Sequence, residues 1–170
     1  MVLTKSELLS AMQNEVRILV HLAGKIDKTT IDYRPTPKQR STLELLKYMS
    51  IMGPQLVAAA KRGGFDPAIW GAADAEAQKR DFDQTLAAIK GQHDEYARLL
   101  SEWTDADFRA EMDAFGNKST KGAFLVHLVL GGHAAYRTQL FNYLKACGRE
   151  ELSTMNLWGG VDAPAAPATA

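Results

Sequence analysis

Cysteine is almost missing from this chain: Cys147 stands alone among 170 residues. No internal disulfide and no cysteine-built zinc site are therefore available. At the end of an apolar stretch, with no histidine within a few residues, Cys147 reads as a small buried side chain rather than a nucleophile. Neither sign of charge is in excess, with 20 basic and 20 acidic side chains. That balance gives no electrostatic grip on nucleic acid or on an anionic membrane. No apolar run reaches about 18 residues without a polar or charged break, so no membrane span is expected. The opening M-V-L-T-K-S-E-L lacks the charged-then-apolar order of a secretion signal, and a reducing cytoplasm is the default expectation. Phosphate loops, dinucleotide fingerprints and the G-x-S-x-G elbow are all absent. No two of His21, His93, His127 and His133 sit three or four apart, the spacing a two-histidine metal clamp on one helix face requires.

What is present is helical periodicity. Thr4-Lys5-Ser6-Glu7 has the form of a capping box, and Leu8, Met12, Val16, Leu19, Ala23 and Ile26 follow at spacings of four and three. His21 lies off that stripe and is expected at the surface or half-buried. A proline-containing connection leads to a second box, Ser41-Thr42-Leu43-Glu44. Beyond it Leu45, Tyr48, Met49, Met52, Leu56 and Ala59 can share a face. Gly53-Pro54 falls inside that helix and predicts a kink or break. Residues 65–80, rich in Ala, Gly and Asp around Trp70, are too polar for a core helix and read as a long crossover with room for a short one. Phe82, Leu86, Ile89, His93, Tyr96, Leu100 and Trp103 then hold an a/d spacing, the seam of a bundle helix with His93 as its polar ring. A second connection, 104–118, is expected to be anchored by Phe108, Met112 and Phe115. The last helix runs from an N-cap at Ser119 to a C′ residue at Gly148. Leu152, Leu157 and Trp158 are expected to dock on the bundle.

Four such patterns with no strand pattern predict an all-α four-helix bundle, with helices near 5–26, 41–62, 82–103 and 120–147. The long crossover between helices two and three lets those two run the same way. The bundle is expected over 1–161, and the Ala/Pro-rich 162–170 has nothing to bury and is expected to be a flexible tail.

Gly131-Gly132 is the oddity of helix four, since each interior glycine costs about 1 kcal/mol relative to alanine. Immediately beyond stand His133, Tyr136, Arg137 and Gln139. Gly132 and Tyr136 share a face, and His133, three before Tyr136, is expected to border the same cavity. His127 lies about 240° from His133 around the helix and cannot join it.

The segments I-D-Y-R-P-T-P-K-Q-R-S-T-L-E-L-L (31–46) and H-A-A-Y-R-T-Q-L-F-N-Y-L-K-A-C-G (133–148) resemble those of the DinB/YfiT-like superfamily. The resemblance implies a four-helix bundle, a homodimer and, in many members, a divalent metal held by three histidines. Characterised relatives include thiol-cofactor-dependent transferases and a maleylpyruvate isomerase. The family's E-L-L-x-H reads here Glu44-Leu45-Leu46-Lys47-Tyr48, and its H-x-x-x-H-R-x-Q reads Gly132-His133-Ala134-Ala135-Tyr136-Arg137-Thr138-Gln139. Tyr48, Gly132 and Tyr136 thus occupy the three histidine positions. Neutral tyrosine, with an ordinary pKa of about 10, is a poor ligand near neutral pH. The expectation is a bundle with no metal and no cofactor, either binding a small molecule or purely structural; the alternative is a transferase of the family's type. The candidate pocket is Tyr48, Gly132, His133 and Tyr136, with His93 able to approach from helix three. A hydrogen bond from tyrosine to tyrosine or histidine is the expected use of these groups. Ile18, Leu22 and Leu130, apolar residues beyond the main stripes, are the expected dimer surface.

Overall fold

A computed structural model describes residues 3–164. Helix α1, Lys5–Ala23, starts at the anticipated box: Glu7 N–H donates to the Thr4 hydroxyl, while Thr4 N–H donates to the Glu7 carboxylate. It ends at Ala23 rather than at Ile26, because Lys25 and Ile26 N–H turn back onto the carbonyls of Leu22 and Ala23. Helix α2, Thr42–Arg62, repeats the device with Ser41 and Glu44, and runs through Pro54 without a break. Helix α4, Phe82–Leu100, begins with Asp81 and Gln84 in the same reciprocal arrangement. Three of the four bundle helices therefore start where their capping residues say they should.

The crossover holds a full helix, α3, Pro67–Gln78, capped by Asp66 with proline in its first turn. It buries only Ala77: its apolar residues are mostly alanine and do not gather on one face, so it lies on the outside of the bundle although few of its side chains are polar. The second connection is not irregular. After a short helix α5, Asp105–Arg109, the strands β1 (Glu111–Ala114) and β2 (Asn117–Thr120) form a small antiparallel hairpin appended to the all-α bundle. Its two-residue turn places Phe115 at φ 58° and Gly116 at φ 76°, the twist a tight hairpin needs. Met112 and Ala114 face inward, but Phe115 is 60% exposed and does not anchor the segment to the core.

Ser119 pairs with Met112 in the hairpin, so Thr120 takes over as N-cap of the last helix and accepts from Ala123 N–H. That helix is α6 (Lys121–Phe124), a π-helical stretch (Leu125–Leu130) and α7 (Gly131–Ala146) in direct succession. Gly148, at φ 87°, sits just past its end as anticipated. In the bundle, α4 packs against both α1 and α2, and the last helix closes the other side against the same two. Met12, Leu19, Leu45, Met49, Ile89, Leu100, Leu125 and Leu140 fill the centre with no exposure. Each such side chain contributes about 1.5–3 kcal/mol by leaving water.

The segment after Gly148 returns to α1. Leu152 is buried and Leu157 half-buried, but Trp158 is 69% exposed with Arg137 over its ring at 5.4 Å. Arg17 donates to the carbonyls of Gly159 and Gly160, Lys25 pairs with Asp162, and Asn156 meets the half-buried His21. This strap covers Ile18, which is 2% exposed, and Leu22 is fully buried. Neither is available to a second subunit, contrary to the expectation from sequence. Residues 165–170 of the anticipated tail lie outside the described residues.

Candidate functional site

Tyr48 on α2 and Tyr136 on α7 meet edge to face with ring centroids 4.9 Å apart. They touch through their rings, so the space between the two phenols is closed. Beside them opens a cavity of about 530 Å³ whose walls include Tyr48, Gly132, Tyr136, Trp70, Phe65 and Phe115. Met52 and Leu56 of α2 line it too. Gly132 shares the wall for a steric reason: a side chain there would start 3.0 Å from the Met52 sulfur. Three of the positions singled out in the sequence therefore converge. Tyr48 has Arg40 over its ring at 4.1 Å and Trp70 at 5.8 Å. Burial, reinforced by the adjoining Tyr136, holds its hydroxyl well above the ordinary range, so it is a neutral phenol at any physiological pH.

His133 does not border this cavity. It belongs to a stripe His133, Arg137, Leu140, Leu144 about a quarter turn around α7 from Gly132 and Tyr136, facing into the bundle, all buried. There its Nε2 lies 2.6 Å from the hydroxyl of Tyr96 on α4. The Tyr96 hydroxyl donates to Gln92 Oε1, and Gln92 Nε2 donates to the Met49 carbonyl. One direction satisfies the whole chain: His133 Nε2–H to Tyr96, Tyr96 to Gln92, Gln92 to Met49. It leaves His133 Nδ1 as an unprotonated acceptor, consistent with that atom being buried without a partner. Gly53 makes room for the pair, since a Cβ there would fall 1.7 Å from the Tyr96 oxygen. The tyrosine–histidine hydrogen bond expected across the cavity does not form there; His133 pairs instead with Tyr96, away from Tyr48 and Tyr136. Burial, helped by the nearby Arg137, depresses the His133 pKa to about 4, so the ring is neutral.

His93 is excluded from both places. Its side chain is 54% exposed and turned to Asp94, while its neighbour Gln92 occupies the inside of α4. Sequence reasoning overlooked Trp70, Phe65, Phe115, Met52 and His127 as wall residues. The first three come from connections that carry no periodic signal. Leu128, expected on the helix face of Gly132, does line the cavity, and it lies with His127 in the π-helical stretch. π-Helical turns concentrate at functional sites, and Phe115, a non-glycine residue at positive φ, is a second local departure from easy backbone at the same wall.

The three matched positions supply a phenol held protonated, no side chain and a second phenol. Among the described residues no three His, Cys, Asp or Glu side chains are grouped to hold an ion.

No family model matches this chain, and no curated protein does. Its structure is similar to the crystal structure of a DinB-like protein, YjoA, from Bacillus subtilis, with a TM-score of 0.66 and 23% sequence identity, covering 86% of this chain and 94% of that one. The chain therefore has a DinB-like, mainly helical fold. No helix among the described residues is long and apolar enough to cross a membrane.

Proposed function

We propose that this protein is a metal-free bundle that binds a small molecule in the cavity walled by Tyr48, Gly132 and Tyr136. The observation that carries the reading is convergence. The three positions that match the family's histidines face one open cavity of about 530 Å³, a size typical of small-molecule sites. A position turned over to core packing would favour aliphatic side chains and a closed interior. Here two aromatic rings and a glycine stand at those positions, and the space beside them stays open.

The test is a thermal-shift screen of small molecules on the full chain, with elemental analysis of the same sample. Ligands that raise the melting temperature, with less than a tenth of an equivalent of zinc, nickel or iron (roughly the level of adventitious metal), are expected. About one equivalent of bound metal that is lost on Tyr136→Phe would defeat the metal-free reading. A homodimer belongs to the same proposal and rests on the sequence resemblance. Light scattering at micromolar concentration should give twice the mass of one chain; a single-chain mass ends that part of it.

A further inference from the structure

We infer that the cavity takes an uncharged, planar aromatic ligand with a hydrogen-bonding edge. This rests on the cavity being a binding site, and it adds the chemical class. The wall is a continuous run of rings: Tyr136 to Tyr48 at 4.9 Å, Tyr48 to Trp70 at 5.8 Å, Trp70 to Phe65 at 5.6 Å and Phe65 to Phe115 at 4.8 Å. Rings at such separations present edges and faces on which a further ring can stack or stand, the favoured aromatic geometries.

Charge decides the class more sharply than shape. No Asp, Glu, Lys or Arg lines the cavity. An ion entering it would lose hydration with no counter-charge to compensate, whereas a neutral ring loses little. Aromatic walls also attract cations, so a quaternary ammonium ligand is the competing class. The wall itself weighs against it, since it offers no carboxylate to balance a cation. Just outside the wall Arg40, over one face of Tyr48 at 4.1 Å, and Asp74 act on the Tyr48 hydroxyl in opposite senses, so the flank supplies no net negative charge either. The polar groups that remain are the phenols of Tyr48 and Tyr136 and the ring of His127. A protonated phenol both donates and accepts, which suits a hydroxyl or carbonyl on the edge of the ligand.

The experiment uses three bicyclic probes of similar size on the full chain: 2-naphthol, 2-naphthoate and a naphthylmethyl-trimethylammonium salt. Binding is read by calorimetry and by tryptophan fluorescence. The expected result is that 2-naphthol binds at least about tenfold tighter than either ion. Its fluorescence change should vanish in Trp70→Phe. The rim double variant Gly131→Leu/Ala135→Phe, at two exposed helical positions, should abolish the heat without altering the circular-dichroism melt. If an ion binds as tightly as 2-naphthol and the rim variant blocks it, the ligand class is wrong and the binding site stands. If 2-naphthol binding survives the rim variant, or no probe gives heat, both the class and the site reading fall.

Discussion

Replacing Arg137 with methionine should destabilise the protein by about 3 kcal/mol, read as a lower urea midpoint at unchanged slope. The side chain of Arg137 is 3% exposed and that of Glu15 16%, with Nε to Oε2 at 2.9 Å and Nη2 to Oε1 at 3.3 Å. The remaining guanidinium nitrogen, Nη1, donates to the Leu157 carbonyl. One planar group thus joins α7, α1 and the C-terminal strap. The size of the loss follows from what is stranded rather than from the ion pair itself. Without Arg137 the carboxylate of Glu15 keeps its burial, which already pushes its pKa up, and loses the charge that opposes the push. It can relax by taking a proton. Arginine has no such escape, because it stays charged at any accessible pH. Glu15→Leu should therefore cost at least as much, toward about 5 kcal/mol. The double variant Arg137→Met/Glu15→Leu should lose less than the sum of the two, since it strands no charge. Strict additivity would show that the pair is not coupled.

The second large effect is acid destabilisation through His133. Its folded pKa, near 4, lies below the ordinary value of 6.5. Below about pH 6.5 the unfolded chain binds a proton that the folded chain refuses until the pH approaches 4. Stability therefore falls as pH drops through that window and is unaffected by this group above it. The full loss is about 3 kcal/mol, from about 1.4 kcal/mol per pKa unit. His133→Gln keeps a hydrogen-bonding side chain and cannot titrate. Between about pH 7 and about pH 4.5 the urea midpoint of the wild type should fall further than that of His133→Gln, the difference amounting to about 2–3 kcal/mol. Carboxylates contribute equally to both proteins and cancel in the comparison. Equal falls would show that His133 is solvated or protonated in the folded state.

Helix starts were legible in the sequence because they are written locally: a hydroxyl or carboxylate at the cap and its partner three residues on. The inside face of α4 was legible only in part. A strict seven-residue repeat puts His93 inward, but a straight helix turns every 3.6 residues and drifts from that repeat. Gln92, about 100° away, takes the place because its carboxamide can accept from Tyr96 and donate to Met49. An imidazole in that position would have to do the same with one nitrogen at each end. On α7 the stripe at 133, 137, 140 and 144 has the ordinary core spacing of four, three and four. Its histidine and arginine hid it, since polar residues count against burial until their partners are known. Glu15 and Tyr96 are those partners, 122 and 37 residues away in sequence. The hairpin escaped for another reason. Its turn is Phe-Gly rather than the common Asn-Gly, so the strongest local cue was missing. With it went Phe115, and with the crossover went Phe65 and Trp70, three of the five Phe, Tyr and Trp rings on the cavity wall.

That division of the wall bears on how such a protein changes over generations. Of the wall rings that come from the connections, Phe115 is 60% exposed and adds nothing to the core, while Phe65 and Trp70 are half-buried and pack only against its edge. Phe115 can be exchanged for other side chains while the packed centre of α1, α2, α4 and α7 is left untouched, and changes at 65 and 70 reach only the rim of that centre. Tyr48 and Tyr136, half-buried on bundle helices, tolerate less. Chemical preference and foldedness are thus recorded in largely separate sets of residues. On the proposed reading of the cavity as a binding site, a lineage built on this frame would change its ligand mainly through its connections, at less thermodynamic risk than through the bundle helices.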